Sequence, residues 1–155
     1  MIEILPFDAR YAADFKELNL EWLRKYFCVE PIDAEVLSHP DQIIAQGGAI
    51  FFARAQGRVV GTVALLKSSG RRYELTKMAV TPEWQGRGIS RRLLNAAIDA
   101  FTAGGGGELF LESSSILTPA LTLYESAGFV HAPRPDGPSH YDRADVYMAY
   151  RGADA

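Results

Sequence analysis

Where one apolar run ends and an amphipathic pattern begins, the chain reads Val80-Thr81-Pro82-Glu83-Trp84-Gln85-Gly86-Arg87-Gly88-Ile89-Ser90-Arg91-Arg92. A helix N-terminus presents unpaired backbone N–H groups and a partial positive charge, and glycines there let an anion approach without meeting a side chain. That is the chemistry a pyrophosphate needs. Six of the 16 Lys and Arg residues, namely Arg71, Arg72, Lys77, Arg87, Arg91 and Arg92, fall between positions 71 and 92, so this segment is locally positive in a chain of formal net charge -3. Arg87 and Arg91 stand one helical turn apart and are expected to flank one phosphate. The segment is neither the dinucleotide fingerprint G-x-G-x-x-G nor a P-loop, which would end in Gly-Lys-Ser/Thr. A lone G-x-G is more often a plain turn feeding an amphipathic helix, so this motif needs support from elsewhere in the chain. The other reactive residue types are sparse. Cys28 is the one cysteine, no His or Asp constellation is placed near it, and a buried or incidental thiol is expected. His39, His131 and His140 lack metal-ligand spacing, so no metal is expected.

The elements that must position the motif follow from periodicity. Residues 2–7 suggest an edge strand ending near Pro6. Residues 8–27 carry Tyr11, Phe15, Leu18, Trp22 and Tyr26 at helical spacing, with Asp8 as N-cap. A short helix plus loop is expected over 33–46, broken by His39-Pro40. Strands follow over 49–55, 58–66 and 73–80, the first two joined by the hairpin turn Gln56-Gly57. A helix is expected from Gly86 to Phe101, with Ile89, Leu93, Leu94, Ala97, Ile98 and Phe101 on one stripe. The run Gly104–Gly107 suits a helix-to-strand loop better than a domain linker. Glu108–Glu112 suggests a short buried strand. A helix is expected from Thr118 (N-cap) and Pro119 to Gly128, then strands over 129–132 and 144–150. The strand–helix–strand unit from Tyr73 to Glu112 is expected to be locally parallel.

With 155 residues, the chain is expected to be one domain, 1–155, able to bury a core without a disulfide or metal. A hydrophobic share of 48% and a charged share of 23% exclude a disordered chain. The acidic balance argues against a surface that coats nucleic acid or an anionic membrane. Without a basic, apolar leader or a long apolar run, a cytoplasmic protein is expected.

The pattern Val80-x-Pro82-x-x-Gln85-Gly86-x-Gly88-Ile89 resembles the acyl-CoA motif of the GNAT superfamily of acetyl-CoA-dependent N-acetyltransferases. Downstream, Leu123-Tyr124-Glu125-x-x-Gly128-Phe129 resembles that superfamily's second signature, and the resemblance spans roughly residues 45–150. It implies an α+β fold in which a central, mostly antiparallel, splayed sheet is flanked by helices and holds one parallel strand–helix–strand crossover. It implies acetyl-CoA as cosubstrate. Pantetheine would lie between the strand ending at Val80 and the strand Glu108–Glu112, pairing with the backbone of Met78, Ala79 and Val80. The amides of Gln85, Gly86, Arg87, Gly88, Ile89 and Ser90 would bind the pyrophosphate. Ser90 stands where Gly or Ala is usual, and Leu117 stands where many relatives carry Asn.

An amine attacks a thioester only when neutral, and a free alkylamine has a pKa of about 10.4. A base or a proton-accepting water path therefore helps, and the departing thiolate benefits from an acid. Glu74 is the candidate base. A two-residue period places it on the face of Thr76, Met78 and Val80, and the resemblance to the histone-modifying branch puts a general-base Glu at this position. The alternative is a solvated strand glutamate paired with Arg72 or Lys77. Tyr124 is the candidate acid, inward on a stripe with Ala120, Leu123 and Ala127; the alternative is a core tyrosine bonded to a backbone carbonyl. Trp22 and Tyr26 are expected to be plain core; the alternative, which the resemblance implies because the first helix borders the acceptor pocket in relatives, is contact with substrate.

For the acceptor, the loop Pro133–Tyr141, stiffened by Pro133, Pro135, Gly137 and Pro138, is expected to wall the pocket. Tyr141 would stack or hydrogen-bond, and Arg143 would clamp a carboxylate of an amino-acid-like amine. The alternative is a solvated loop whose Arg143 pairs with Asp142 or Asp145. The expected function is direct transfer of acetyl to a primary amine of a small molecule. Acetylation of a protein lysine or N-terminus, a non-catalytic acyl-CoA-binding module, and a homodimer are left open.

Overall fold

The computed structural model describes residues 1–135, 137, 139 and 141–152. Pro138 and His140 therefore lie outside the described residues. The edge strand β1 (Ile2–Pro6) closes at its proline, and the Asp8 carboxylate accepts from the Arg10 N–H at 3.0 Å, capping a short 3-10 turn that runs into α1 (Ala12–Tyr26). The segment expected to hold one helix holds two, α2 (Pro31–Leu37) and α3 (Pro40–Ala45), each opening on a proline that needs no N–H donor there. Strands β2 (Ala49–Ala55) and β3 (Arg58–Lys67) form the expected hairpin. Gln56 and Gly57 take φ values of 53° and 75°, the left-handed pair that a type I′ turn requires. Then follow β4 (Arg72–Val80), α4 (Ile89–Ala103), β5 (Glu108–Ser113), α5 (Thr118–Ala127), β6 (Phe129–His131) and β7 (Val146–Tyr150).

Two helix boundaries differ from expectation. Helix α4 starts at Ile89 rather than Gly86, because Gly86 and Gly88 sit at φ 76° and 78°, outside helical space. In α5, Thr118 is the first helical residue; Leu117 holds the cap position and offers no side-chain bond.

The strands form one seven-stranded sheet in the order β1-β2-β3-β4-β5-β7-β6. Every adjacent pair is antiparallel except β4 with β5, which is parallel. This is the mixed α+β architecture expected, with apolar layers on both faces. On one face α4 buries Leu93, Leu94 and Ala97 completely against Val60, Val63 and Leu65. On the other, α1 lays Phe15, Leu18 and Leu23, with Leu37 of α2 and Ile43 of α3, against Ile50, Phe52, Ala64 and Ala79. Among the described residues no helix is long and apolar enough to cross a membrane.

One irregularity matters for the site. The β3–β4 register slips between Thr62↔Ala79 and Ala64↔Thr76, and Lys77 takes φ 55°, the mark of a bulge. The bulge breaks the two-residue alternation. Leu75, Met78 and Val80 pack in the α4 layer, whereas Ala79 packs in the α1 layer with Leu66 and Ala64, the partners of Glu74 and Thr76. Glu74 therefore does not share a face with Met78 and Val80, as a regular strand would have it, but looks toward α1.

The four glycines form the α4–β5 connection. Gly105, Gly106 and Gly107 lie at φ 100°, 71° and 126°, and a Cβ on Gly107 would stand 2.1 Å from the Arg71 carbonyl oxygen, which accepts the Glu108 N–H at 3.0 Å. That bond begins the parallel pairing. Gly107→Ala is expected to lower stability by roughly 2–4 kcal/mol through backbone strain and overpacking. Urea unfolding measures this, and a loss under 0.5 kcal/mol would show that the crossover tolerates a wider approach.

Candidate active site

Strands β4 and β5 pair at three registers only: Arg72↔Glu108, Tyr73↔Leu109 and Glu74↔Phe110. Beyond Glu74 they part, and a cleft of about 360 Å³ opens between them. One wall is β4 from Glu74 to Val80, the other is β5 from Leu111 to Ser113 with Leu123 and Tyr124 of α5. On its other side β4 stays paired to β3 through Ala79 and Val80. The backbone of Met78, Ala79 and Val80 thus presents a strand edge to the cleft, with the Val80 carbonyl already accepting from Gln85 Nε2 at 3.0 Å.

At the end of β4 lies the glycine loop. A Cβ on Gly86 or Gly88 would meet nothing within 4 Å, so packing does not demand glycine there; the left-handed φ values do. The first helical bond of α4 that leaves the loop is Arg92 N–H to Gly88 O at 3.2 Å, and among the described residues the amides of Gly86 to Arg91 take no backbone partner, whereas the expected Gln85 amide is already spent on Pro82 O at 3.3 Å. Ile89 is buried under the sheet and anchors the loop, while Ser90 and Gln85 line the cleft. This donor set fits a pyrophosphate. The two arginines do not converge as a helical turn would bring them. Arg87 precedes the helix and lies over the Trp84 ring at 4.4 Å, and Arg91 reaches Ser126 Oγ at 2.9 Å. Leu117 lines the cleft as an apolar contact.

Glu74 stands where the strands part. It makes no ion pair among the described residues. Lys77 bonds Asp33 at 2.8 Å, and Arg72 bonds the Tyr147 hydroxyl at 3.0 Å and meets Glu108 at 3.5 Å. Burial, together with the Glu112 charge and against the attraction of Lys77 and Arg72, pushes the Glu74 carboxyl up to about 7. Across the cleft Tyr124 sets its ring edge-on to Phe129, with centroids 6.1 Å apart. Its hydroxyl takes no hydrogen bond among the described residues, and burial pushes it up to about 12.

Tyr141 and Arg143 line the same cleft, but not as a free clamp. Arg143 Nη1 donates to Glu30 Oε2 (2.8 Å) and Asp33 Oδ2 (2.9 Å), and Nη2 donates to Asp33 Oδ1 (2.9 Å). Neither Asp142 nor Asp145 is its partner; Asp145 accepts from the Ser115 amide and hydroxyl. The Arg143 charge is thus already neutralised, which removes the physical basis for a carboxylate clamp. Asp33, wholly buried, also accepts from Lys77 Nζ at 2.8 Å and from the Glu30 N–H at 3.0 Å. Burial raises this carboxyl, but the hydrogen bonds from Arg143 and Lys77, the Lys77 charge and the Glu30 amide outweigh it and hold Asp33 at about 2. Burial pulls the Lys77 ammonium down, against the bond to Asp33. The Tyr141 hydroxyl accepts from Lys77 at 3.1 Å and is raised by its burial. Before it, Arg134 and Ser139 bond Glu112, which accepts from Arg134 Nε at 2.5 Å and Ser139 Oγ at 2.9 Å.

Asp33, Lys77, Glu112, Asn19 and Phe27 join the site without having been expected there. Two left a trace in the sequence: Lys77 interrupts the apolar run Leu75–Val80, and Asp33 stands three residues after Glu30 at the start of a proline-led helix. Trp22 lines the cleft, whereas Tyr26 and Cys28 are exposed outside it.

Two outcomes follow. Asp33→Asn leaves Lys77 and Arg143 buried without their shared anion and is expected to cost roughly 3–5 kcal/mol in urea unfolding at neutral pH. For Glu74 the native carboxyl titrates near 7 and the unfolded one near 4.5. Between those values the native state keeps a proton that the unfolded chain has shed, so stability falls as pH rises through that window, by at most about 3 kcal/mol. Glu74→Gln is therefore expected to unfold at higher temperature than wild type at pH 8 and at a similar temperature at pH 4; equal shifts at both would place Glu74 in water.

The acetyltransferase (GNAT) family model matches residues 15–129. The chain is similar to the N-alpha-acetyltransferase RimI of Mycobacterium tuberculosis, 40% identical over 81 residues, which are 50% of this chain and 49% of that protein. It is 31% identical over 118 residues to an IAA acetyltransferase of Azospirillum brasilense, covering 76% of this chain and 72% of that one. The chain spans half or less of the length of the first curated relatives that it matches. In fold it superposes on a GNAT-family acetyltransferase of Staphylococcus aureus with a TM-score of 0.87 at 20% identity, over 97% of this chain and 98% of that one. It superposes on yncA of Salmonella typhimurium, solved with its cofactor acetyl-CoA, with a TM-score of 0.77 at 19% identity, over 100% and 95%. The matched segment runs from α1 to Phe129 and takes in the glycine loop and both walls of the cleft, and on that ground the chain belongs to the acetyltransferase (GNAT) family.

Proposed function

We propose that this chain, acting as one domain, transfers acetyl from acetyl-CoA to a primary amine of a small molecule, directly and without an acyl-enzyme. The observation that carries the reading is the parting of β4 and β5 immediately after Glu74, with the glycine loop at the far end of the cleft and Tyr124 across it. The amides of Gly86–Ser90 would hold the pyrophosphate, and the free β4 edge at Met78–Val80 would pair with pantetheine as an added strand would. That brings the thioester toward Glu74 and Tyr124.

Glu74, titrating near neutrality, accepts the proton that the ammonium must lose before its nitrogen can attack. The new N–C bond forms as the C–S bond breaks, and the nitrogen's second proton passes to the departing sulfur through the Tyr124 hydroxyl, so that CoA leaves as its thiol. Tyr124 stays protonated well above neutral pH and directs its O–H at the sulfur as negative charge collects there. Cys28, the one cysteine, is exposed and does not line the cleft, so no thiol stands there to carry the acetyl group. The walls Trp22, Phe27 and Tyr141 suit a small amine. The similarity to RimI supports a second reading, a protein N-terminus as acceptor.

Thiol release from acetyl-CoA, measured against small amines and N-terminal peptides, tests both readings. Tyr124→Phe is expected to lower kcat roughly 10²–10⁴-fold, with CoA affinity by calorimetry changed less than about threefold. A stable acetyl group on Cys28, found by mass spectrometry, would overturn direct transfer, and preference for peptides would favour the second reading.

A further inference from the structure

The stripe by which α1 meets the sheet is apolar (Phe15, Leu18, Leu23) except at Asn19, which is 3% exposed and lines the cleft. An amide so placed for packing alone is expected to have both its ends bonded. Only one end is. Nδ2 donates to Phe15 O at 2.9 Å, which fixes the rotamer and identifies the other end as oxygen. Oδ1 has no partner among the described residues. Nor is it among the buried polar atoms cut off from any partner, so it keeps open surface, and the open space at Asn19 is the cleft. Glu74 looks toward α1 from β4, and Trp22 and Phe27 stand beside Asn19 along the wall.

The cations of the cleft are committed elsewhere. Among the described residues Lys77 and Arg143 are the cations that line it, and both are held by Asp33, with Glu30 on Arg143 as well. Where α1 borders the cleft, the uncommitted groups are the acceptors Asn19 Oδ1 and Glu74 and the ring faces of Trp22 and Phe27; Glu112 adds negative charge but already accepts from Arg134 and Ser139. A ligand ammonium meets N–H acceptors and π faces there. A ligand carboxylate would meet the Glu74 carboxyl and find no unpaired cation among the described lining residues, at a desolvation cost that nothing repays.

Building on the acetyl-transfer reading, we infer that Asn19 Oδ1 receives an N–H of the acceptor amine beside Glu74, and that the acceptor is an alkyl- or aralkylamine without a carboxylate next to its nitrogen. Asn19 binds and orients; Glu74 takes the proton.

The experiment pairs each amine with its carboxylated counterpart, phenethylamine with phenylalanine and putrescine with ornithine. It measures turnover with acetyl-CoA, and calorimetric binding to the CoA-loaded protein. Wild type is expected to favour the amine of at least one pair by 10-fold or more in kcat/KM and in affinity. Asn19→Leu removes the oxygen at nearly constant volume. It is expected to raise KM and Kd for that amine about 10- to 100-fold, the usual loss for a hydrogen bond to a charged group, with kcat and CoA affinity within about threefold. Asn19→Ser provides the same reading should the leucine variant fail to fold. Unchanged amine affinity in a folded variant overturns the role of Asn19, and preference for the amino acid, or no binding of either amine, overturns the acceptor class. If wild type binds the amine, Asn19→Leu loses it and neither releases thiol, the transfer reading falls while the amine site stands.

Discussion

The molecule depends on a sheet that stops pairing partway. After Glu74↔Phe110, β4 and β5 have other commitments: β4 is held by β3 through Val80, and β5 pairs with β7 from Phe110↔Ala149 to Ser113↔Val146. Each strand therefore leaves a line of backbone donors and acceptors facing the other across the gap. Such groups need partners when water is excluded, and a strand-like ligand supplies them. The glycine loop, the freed Tyr124 hydroxyl and the perturbed Glu74 acquire their chemical meaning from that separation.

What keeps the Tyr141 end of the cleft in shape is a single buried carboxylate. Asp33 receives Lys77 from the β4 bulge, Arg143 from the strand-ward end of the last loop, and the Glu30 amide from its own helix. It thereby ties α2, β4 and the segment before β7 together. A buried ion cluster of this kind contributes little net stability against an apolar replacement, yet removing one member strands the others. Its value here is geometric and electrostatic. Beside it Glu74 is desolvated and next to Glu112, and burial with that charge, against the attraction of Lys77 and Arg72, is why a glutamate can titrate near neutrality.

The bulge at Lys77 links these two features. One extra residue in β4 turns the lysine into the α1–α2 side, where Asp33 can reach it, and reverses the facing of the strand beyond. Glu74 and the Met78–Val80 edge thus lie on different faces and at different ends of one cleft, which keeps the proposed proton acceptor apart from the proposed cofactor-pairing edge.

Local rules determined much of this in the sequence. The hairpin at Gln56-Gly57, the paired prolines and the stripe Ile89–Phe101 depend on neighbours a few residues away, and the two spaced motifs carry the family resemblance. Periodicity starts α4 three residues too early, because a glycine's left-handed φ is not visible as a departure from helical periodicity. The face of Glu74 was decided by a bulge, whose register belongs to the β3–β4 pair and to neither strand alone. The partners of Arg143 lie 110 and 113 residues away, and the nearer Asp142 and Asp145 had looked the better candidates. The short range of hydrogen bonding and helix periodicity makes elements legible in order along the chain. Which charges meet, which carboxyl is left alone and which amide oxygen faces a cleft are set only when distant segments pack.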